Sequence, residues 1–255
     1  MANDLLTRLR TLTDSRIGLE RAGGSLTTAD WLALRAAHAA ARDAIHAASG
    51  QPVIPPPVGY VRSRCQNRQQ YLLRPDLGRR LADDAELPAG PFDVALVVAD
   101  GLSPLAVSRH AAGLVGALRN SLAEAHLTVS PVIQVAQGRV AIGDEIGERL
   151  QARLTVVLIG ERPGLSAADS LGVYLTYAPK AGRTDAERNC ISNIRDGGLD
   201  IPLAARRTIN LIEAALARQL TGVQLKESAH ALKPAMAPAL AGPLDRLPPR
   251  RDRLS

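Results

Sequence analysis

After Gly90 the chain alternates short apolar runs with amphipathic stretches, and few folds accept that alternation. Asp93 to Ala99 is continuously apolar after its first residue, as a strand buried on both faces in a parallel sheet must be. It ends in Asp100-Gly101-Leu102-Ser103-Pro104, where Ser103 can cap and Pro104 can open a helix reaching about Leu122. Val129–Ala136 is predicted as a second strand, Val140–Gln151 as a helix, Leu154–Ile159 as a third strand and Leu171–Tyr177 as a fourth. Ala205, Ile209, Ile212, Leu216 and Leu220 mark one face of a last helix, closed near Gly222. The predicted class is α/β: a Rossmann-like, doubly wound, mostly parallel sheet with right-handed crossovers, behind an N-terminal helical region.

That helical region is centred on Thr27–Ser49. Thr27, Thr28 and Asp30 suit a helix start, and Trp31, Leu34, Ala37, Ala41 and Ile45 share one face. Gly50 stops it, and prolines 52, 55, 56 and 57 make Gln51–Gly59 read as a linker. Residues 61–80 hold six arginines and read as partly helical, lying over the next domain or a partner. The expected organisation is therefore a helical region over 1–50 and a Pro-rich linker with an Arg-rich segment over 51–89. A Rossmann-like domain over 90–226 follows. The tail, 227–255, carries five of the seventeen prolines and is expected to be disordered.

Charge narrows the partners. The net charge is +6, and residues 1–80 alone hold twelve arginines against six acids. Such a segment can meet nucleic acid, an anionic surface or an acidic protein. With six aromatic residues in the chain, stacking platforms for single strands are scarce, so no nucleic-acid partner is expected. The longest apolar run, Val94–Ala99, is far short of the ~20 residues of a membrane span, so no membrane partner is expected either. No secretory signal is visible, and two cysteines, Cys65 and Cys190, make no disulfide framework. A cytoplasmic location is expected.

No G-x-G-x-x-G follows the first strand of the α/β region, and P-loop, H-E-x-x-H, C-x-x-C and G-x-S-x-G patterns are absent. The five histidines read as satisfied or solvated rather than as ligands, so no metal ligands are assigned. Glycine and polar residues crowd the segments after each strand: Asp100-Gly101, Gln137-Gly138-Arg139-Val140, Gly160-Glu161-Arg162 and Gly182-Arg183-Thr184-Asp185 with Asn189-Cys190. In a doubly wound sheet these loops converge on one crevice, which argues for a polar ligand site. Each loop taken singly reads equally as a turn. On the residues alone, a nucleotide-binding α/β enzyme and a basic RNA-binding module remain open.

Longer runs resemble the small subunit of ethanolamine ammonia-lyase. They are Asp100-Gly-Leu-Ser103, Gln137-Gly-Arg-Val-Ala-Ile-Gly-Asp-Glu-Ile-Gly147, Leu158-Ile-Gly-Glu-Arg-Pro-Gly-Leu165, Asp169-Ser-Leu-Gly-Val-Tyr174 and Gly182 to Ile194. Arg16-Ile-Gly-Leu19, Ala41-Arg-Asp-Ala-Ile-His46 and Ser63-Arg-Cys-Gln-Asn-Arg68 extend the likeness over roughly residues 10–226, with Glu20 standing where a glycine is expected. The resemblance implies a subunit that clasps adenosylcobalamin against a large catalytic subunit, which binds ethanolamine and carries the catalytic side chains. It also implies a radical conversion to acetaldehyde and ammonia, initiated by cobalt–carbon homolysis. It carries cofactor-binding roles to Val140, Glu161 and Cys190, and no catalytic residue to this chain. No D-x-H-x-x-G occurs, so the cofactor is expected to keep its own axial base. The expected setting is cytoplasmic, with enclosure in a bacterial microcompartment left open.

Overall fold

The computed structural model describes residues 23–47 and 54–226, together with residues 8, 9, 11, 12 and 17. The tail expected to be disordered, the helix end at Gly50 and residues 51–53 of the linker lie outside the described residues.

Burial of the Val94–Ala99 run puts β2 (Phe92–Ala99) inside a six-stranded sheet. The other strands are β1 (Val58–Arg62), β3 (Val132–Ala136), β4 (Ala152–Gly160), β5 (Leu171–Tyr177) and β6 (Asn189–Ile194), in the order β1-β3-β2-β4-β5-β6. The pairings from β1 through β4 are parallel, whereas β4–β5 and β5–β6 are antiparallel. The class is α/β, as expected, with a mixed sheet. Chain length explains the reversal: residues 161–170 are too few for a crossover, so β5 must return beside β4 in the opposite sense.

Both faces of the sheet are covered. Ala112–Glu124 (α3) follows Pro104–Ala106 and a π-helical turn at Val107–Ala111; with α5 (Ile201–Arg218) it packs on the face of Leu96, Val98 and Val156. α4 (Ile142–Arg149) packs on the opposite face, against Val97, Val157 and Ile159. Two glycines bring α4 close: a Cβ at position 143 would lie 2.4 Å from Val157 Cγ2, and one at 147 would lie 2.5 Å from Thr155 Cγ2. Each Leu, Ile or Val so buried contributes about 1.5–3 kcal/mol.

The N-terminal part departs from expectation in two ways. Helix α1 (Thr28–His46) is capped as predicted, Thr27 Oγ1 accepting from Asp30 N at 3.1 Å. Of its apolar face only the second half is buried, at Ala41 and Ala44, while Trp31 is 49% exposed. Second, the Pro-rich stretch does not end in a simple linker, because Val58–Arg62 forms an edge strand; proline is tolerated there, since an edge needs only one set of partners.

Residues 61–80 are partly helical and lie over the α/β region, as expected, and three of their six arginines pair with aspartates. Arg62, Arg64 and Arg74 pair with Asp84, Asp83 and Asp76 at 3.0, 2.8 and 2.7 Å. Helix α2 (Arg68–Leu73) is capped by Asn67 and buries Tyr71 completely. Among the described residues no helix is long and apolar enough to cross a membrane.

Candidate functional site

At the carboxyl edge of the parallel strands, side chains from distant segments lock the loops. Asp100 accepts from Gln137 N at 2.9 Å and Gly138 N at 3.1 Å, joining the ends of β2 and β3. Arg68 donates to the Gly101 and Leu102 carbonyls at 2.7 and 3.1 Å. The Tyr71 ring lies between the guanidinium groups of Arg68 and Arg139, 4.7 and 4.1 Å from its centroid, and its hydroxyl donates to Gly138 O. These contacts hold the edge rigid without using Arg68 or Tyr71 as ligands.

Glu161 stands one residue beyond β4. Its Oε2 accepts from Ser170 Oγ at 2.5 Å and Asn193 N at 3.2 Å, so the carboxylate ties the start of β5 to the end of β6. The side chain lies over Gly172, where an added Cβ would meet Oε1 at 2.9 Å. Among the described residues no hydrogen bond reaches Oε1.

Tyr174 and Cys190 are register partners on β5 and β6 and share one face of the sheet. Both feel the Glu161 charge. Cys190 Sγ lies 3.2 Å from Ser192 Oγ. Protein atoms around the thiol push its pKa up although the residue is exposed, and burial likewise pushes Tyr174 up. At neutral pH Cys190 is therefore a neutral thiol, suited to packing and hydrogen bonding rather than to attack. Val140, just ahead of α4, packs against the same apolar cluster as Tyr174. Glu161 and Cys190 thus flank Tyr174, and Val140 packs on the same apolar cluster.

The loop after β5 arrives by an unexpected route. Because β5 is antiparallel, that loop leaves the sheet at the edge opposite Glu161, not among the other strand ends. It then returns along α4, held by Ala181 N donating to Glu148 Oε2 at 3.1 Å. Its return walls a cavity of about 520 Å³ lined by Arg79, Arg80, Arg139, Val140, Arg183 and Arg188, among others. Behind that wall, Arg188 makes a buried bidentate pair with Asp144, at 2.5 and 2.7 Å. Sequence reading missed Tyr174 as a member of the face, and missed the cavity, whose arginines come from segments up to about a hundred residues apart.

Glu187 caps this wall. It accepts from Thr184 N and pairs with Arg183, and these contacts hold its pKa at about 2 rather than the ordinary 4.5. A carboxylate with a depressed folded pKa stabilises fully above its unfolded value and progressively less as pH falls toward the folded one. The 182–188 wall is therefore expected to keep its amide protection above pH 4.5 and lose it between about 4.5 and 2. Hydrogen exchange read segment by segment would show this, and Glu187→Gln should abolish that step; an unchanged pH profile would refute it.

Comparison with known proteins gives one family. The family model described as "Ethanolamine ammonia-lyase light chain (EutC)" matches residues 3–226. A relative described as "Ethanolamine ammonia-lyase small subunit" from Xanthomonas campestris pv. campestris is 50% identical over 245 residues, 89% of each chain. One so described from Ralstonia nicotianae is 50% identical over 241 residues, 87% of each chain. A third, from Azotobacter vinelandii, is 48% identical over 237 residues, 87% of this chain and 88% of the relative.

Proposed function

The chain belongs to the ethanolamine ammonia-lyase light-chain family, and from that premise we propose that it holds adenosylcobalamin against a large partner subunit. In this reading the large subunit binds ethanolamine and carries the catalytic side chains, and this chain is the non-catalytic component of the lyase. Bound between the two, adenosylcobalamin would supply the radical chemistry that turns ethanolamine into acetaldehyde and ammonia.

The observation that carries the reading is that Glu161 and Cys190 flank Tyr174 while Val140 packs on the same apolar cluster. The chemistry of that face suits a large macrocycle rimmed with amides. Glu161 Oε1 is an acceptor for amide N–H groups, Tyr174 supplies a flat apolar ring with a polar tip, and Val140 supplies an apolar edge. Nearby, Gln137 Oε1 and Arg139 Nε are buried without partners, which fits a polar ligand that completes them. The exposed Trp31 and Leu32 on α1 are the apolar surface assigned here to the partner.

The test is reconstitution. The chain alone is expected to make no acetaldehyde from ethanolamine and adenosylcobalamin, and the chain co-purified with a family large subunit is expected to make it. Activity without the partner, or none in an assembled complex, would overturn the proposal. Because Arg62, Arg64 and Arg74 are paired internally and Arg79 and Arg80 line the cavity, assembly should depend only weakly on salt between low and physiological ionic strength. Sedimentation across a salt series measures this; a loss of assembly by physiological salt would contradict it.

A further inference from the structure

Arg79 and Arg80 differ from the other arginines of their segment. Both are exposed, and neither has an acidic partner among the described residues, whereas Arg62, Arg64 and Arg74 are each paired with an aspartate. Both line the 520 Å³ cavity together with Arg139, Arg183 and Arg188. Two of the three acids of that cavity are hydrogen-bonded, Asp144 to Arg188 and Glu145 Oε2 to Leu81 N at 3.0 Å, and the exposed Asp185 lies 3.4 Å from Arg188 Nε. Arg139 spends one nitrogen on Tyr71 O and keeps a buried Nε without a partner. Three guanidinium groups thus line one cavity without a carboxylate partner among the described residues.

A cavity of this size holds a small-molecule group rather than a protein surface. Planar guanidinium forks match the oxygens of a phosphate in pairs, and a wall with five arginines against three acids favours an anion over a neutral ligand. The lining contains no aromatic side chain, so nothing there would stack on a base, and recognition falls on the phosphate itself. Val140 borders both this cavity and the Tyr174 face, so one ligand can reach both.

We propose that the Arg79–Arg80–Arg139 cleft binds a phosphate ester. Resting on the cofactor reading above, we assign that ester to the phosphodiester of the cobalamin nucleotide tail, the anionic group of an otherwise amide-rimmed molecule. A free nucleotide offers the same chemistry, and the test separates the two sources.

The experiment measures binding, not turnover, on the complex of the full chain with its large subunit. Equilibrium dialysis compares cobalamin with cobinamide, which lacks the nucleotide tail and its phosphate, and adds AMP as a free phosphate ester. The variants are Arg79→Gln/Arg80→Gln and the charge-keeping Arg79→Lys/Arg80→Lys; both positions are exposed, so folding should survive. The Gln variant is expected to bind cobalamin about tenfold or more weakly with cobinamide unchanged, and the Lys variant to recover most of the loss. AMP binding lost in the Gln variant while cobalamin binding is unchanged would keep the phosphate site and overturn the assignment to the cofactor tail. Equal losses for cobalamin and cobinamide, unchanged affinity for all three probes, or a loss of subunit assembly instead would overturn the proposal. If neither corrinoid binds the unsubstituted complex, the cofactor reading itself fails. The AMP arm then decides the cleft alone: binding abolished by the Gln variant supports it, and no binding overturns it.

Discussion

Asp144→Ala is expected to destabilise the protein by about 3–5 kcal/mol, because it leaves the Arg188 guanidinium buried and unpaired. Both side chains are only 2% exposed, and two hydrogen bonds of 2.5 and 2.7 Å join them. Arg188 also donates to Thr176 Oγ1 and Arg183 O, so it cannot swing out to water without releasing β5 and the returning wall. For a chain of this size the loss corresponds to a melting temperature lower by roughly 6–20 °C. Asp144→Leu combined with Arg188→Met should recover much of it, since an apolar pair of similar volume avoids the desolvation cost of both charges. Thermal unfolding of the single and double variants checks this. A single variant that loses less than about 1 kcal/mol would mean that water reaches the pair, and a double variant no better than the single would mean that packing, not charge, sets the cost.

The consequence for the site follows from where the pair sits. Asp144 is in the first turn of α4, just after Val140, and Arg188 directly precedes β6, which carries Cys190. The pair therefore fixes the distance between the two sides of the candidate cofactor face. It also removes Arg188 from the set of free cations in the cleft, which leaves that work to Arg79, Arg80 and Arg139.

How far this could be read from the residues depended on burial. β2, β4 and β5 were legible because strands covered on both faces are continuously apolar. β6 was not: in Asn189-Cys-Ile-Ser-Asn-Ile194 the turn-forming residues outnumber the apolar ones, and only Ile191 and Ile194 are buried. The direction of β5 was illegible too, because a period of two or a buried run is the same in either sense. Only the length of the 161–170 connection carries that information.

How the arginines of residues 61–80 are engaged was illegible for a different reason. A charge count along the chain does not show that Asp83 and Asp84 fold back onto Arg64 and Arg62, about twenty residues earlier. As for the site, the roles of Val140, Glu161 and Cys190 came from resemblance. Nothing in their spacing requires that Glu161 and Cys190 flank Tyr174, which reads from sequence as an ordinary sheet aromatic.

Glu161→Ala is expected to raise the cobalamin concentration needed for half-maximal activity about ten- to a hundredfold, the weight of lost charge-assisted acceptor contacts. The fold complicates a direct reading, because the same carboxylate accepts from Ser170 and Asn193 and so braces β5 against β6. Ser170→Ala separates the two roles. It removes the 2.5 Å brace while leaving Oε1 in place, so it should lower stability modestly and shift cofactor affinity much less than Glu161→Ala. Glu161→Gln keeps an oxygen acceptor without the charge and should fall between the two. Cys190→Ser, a near-isosteric exchange of a neutral thiol, should be the mildest. In each case turnover at saturating cobalamin should return close to that of the unsubstituted complex, since none of these side chains is placed at the substrate. If Ser170→Ala matches Glu161→Ala in affinity, the carboxylate acts by bracing the strands and not by touching the cofactor. A half-saturation point unmoved by Glu161→Ala in an intact complex would place the cofactor elsewhere.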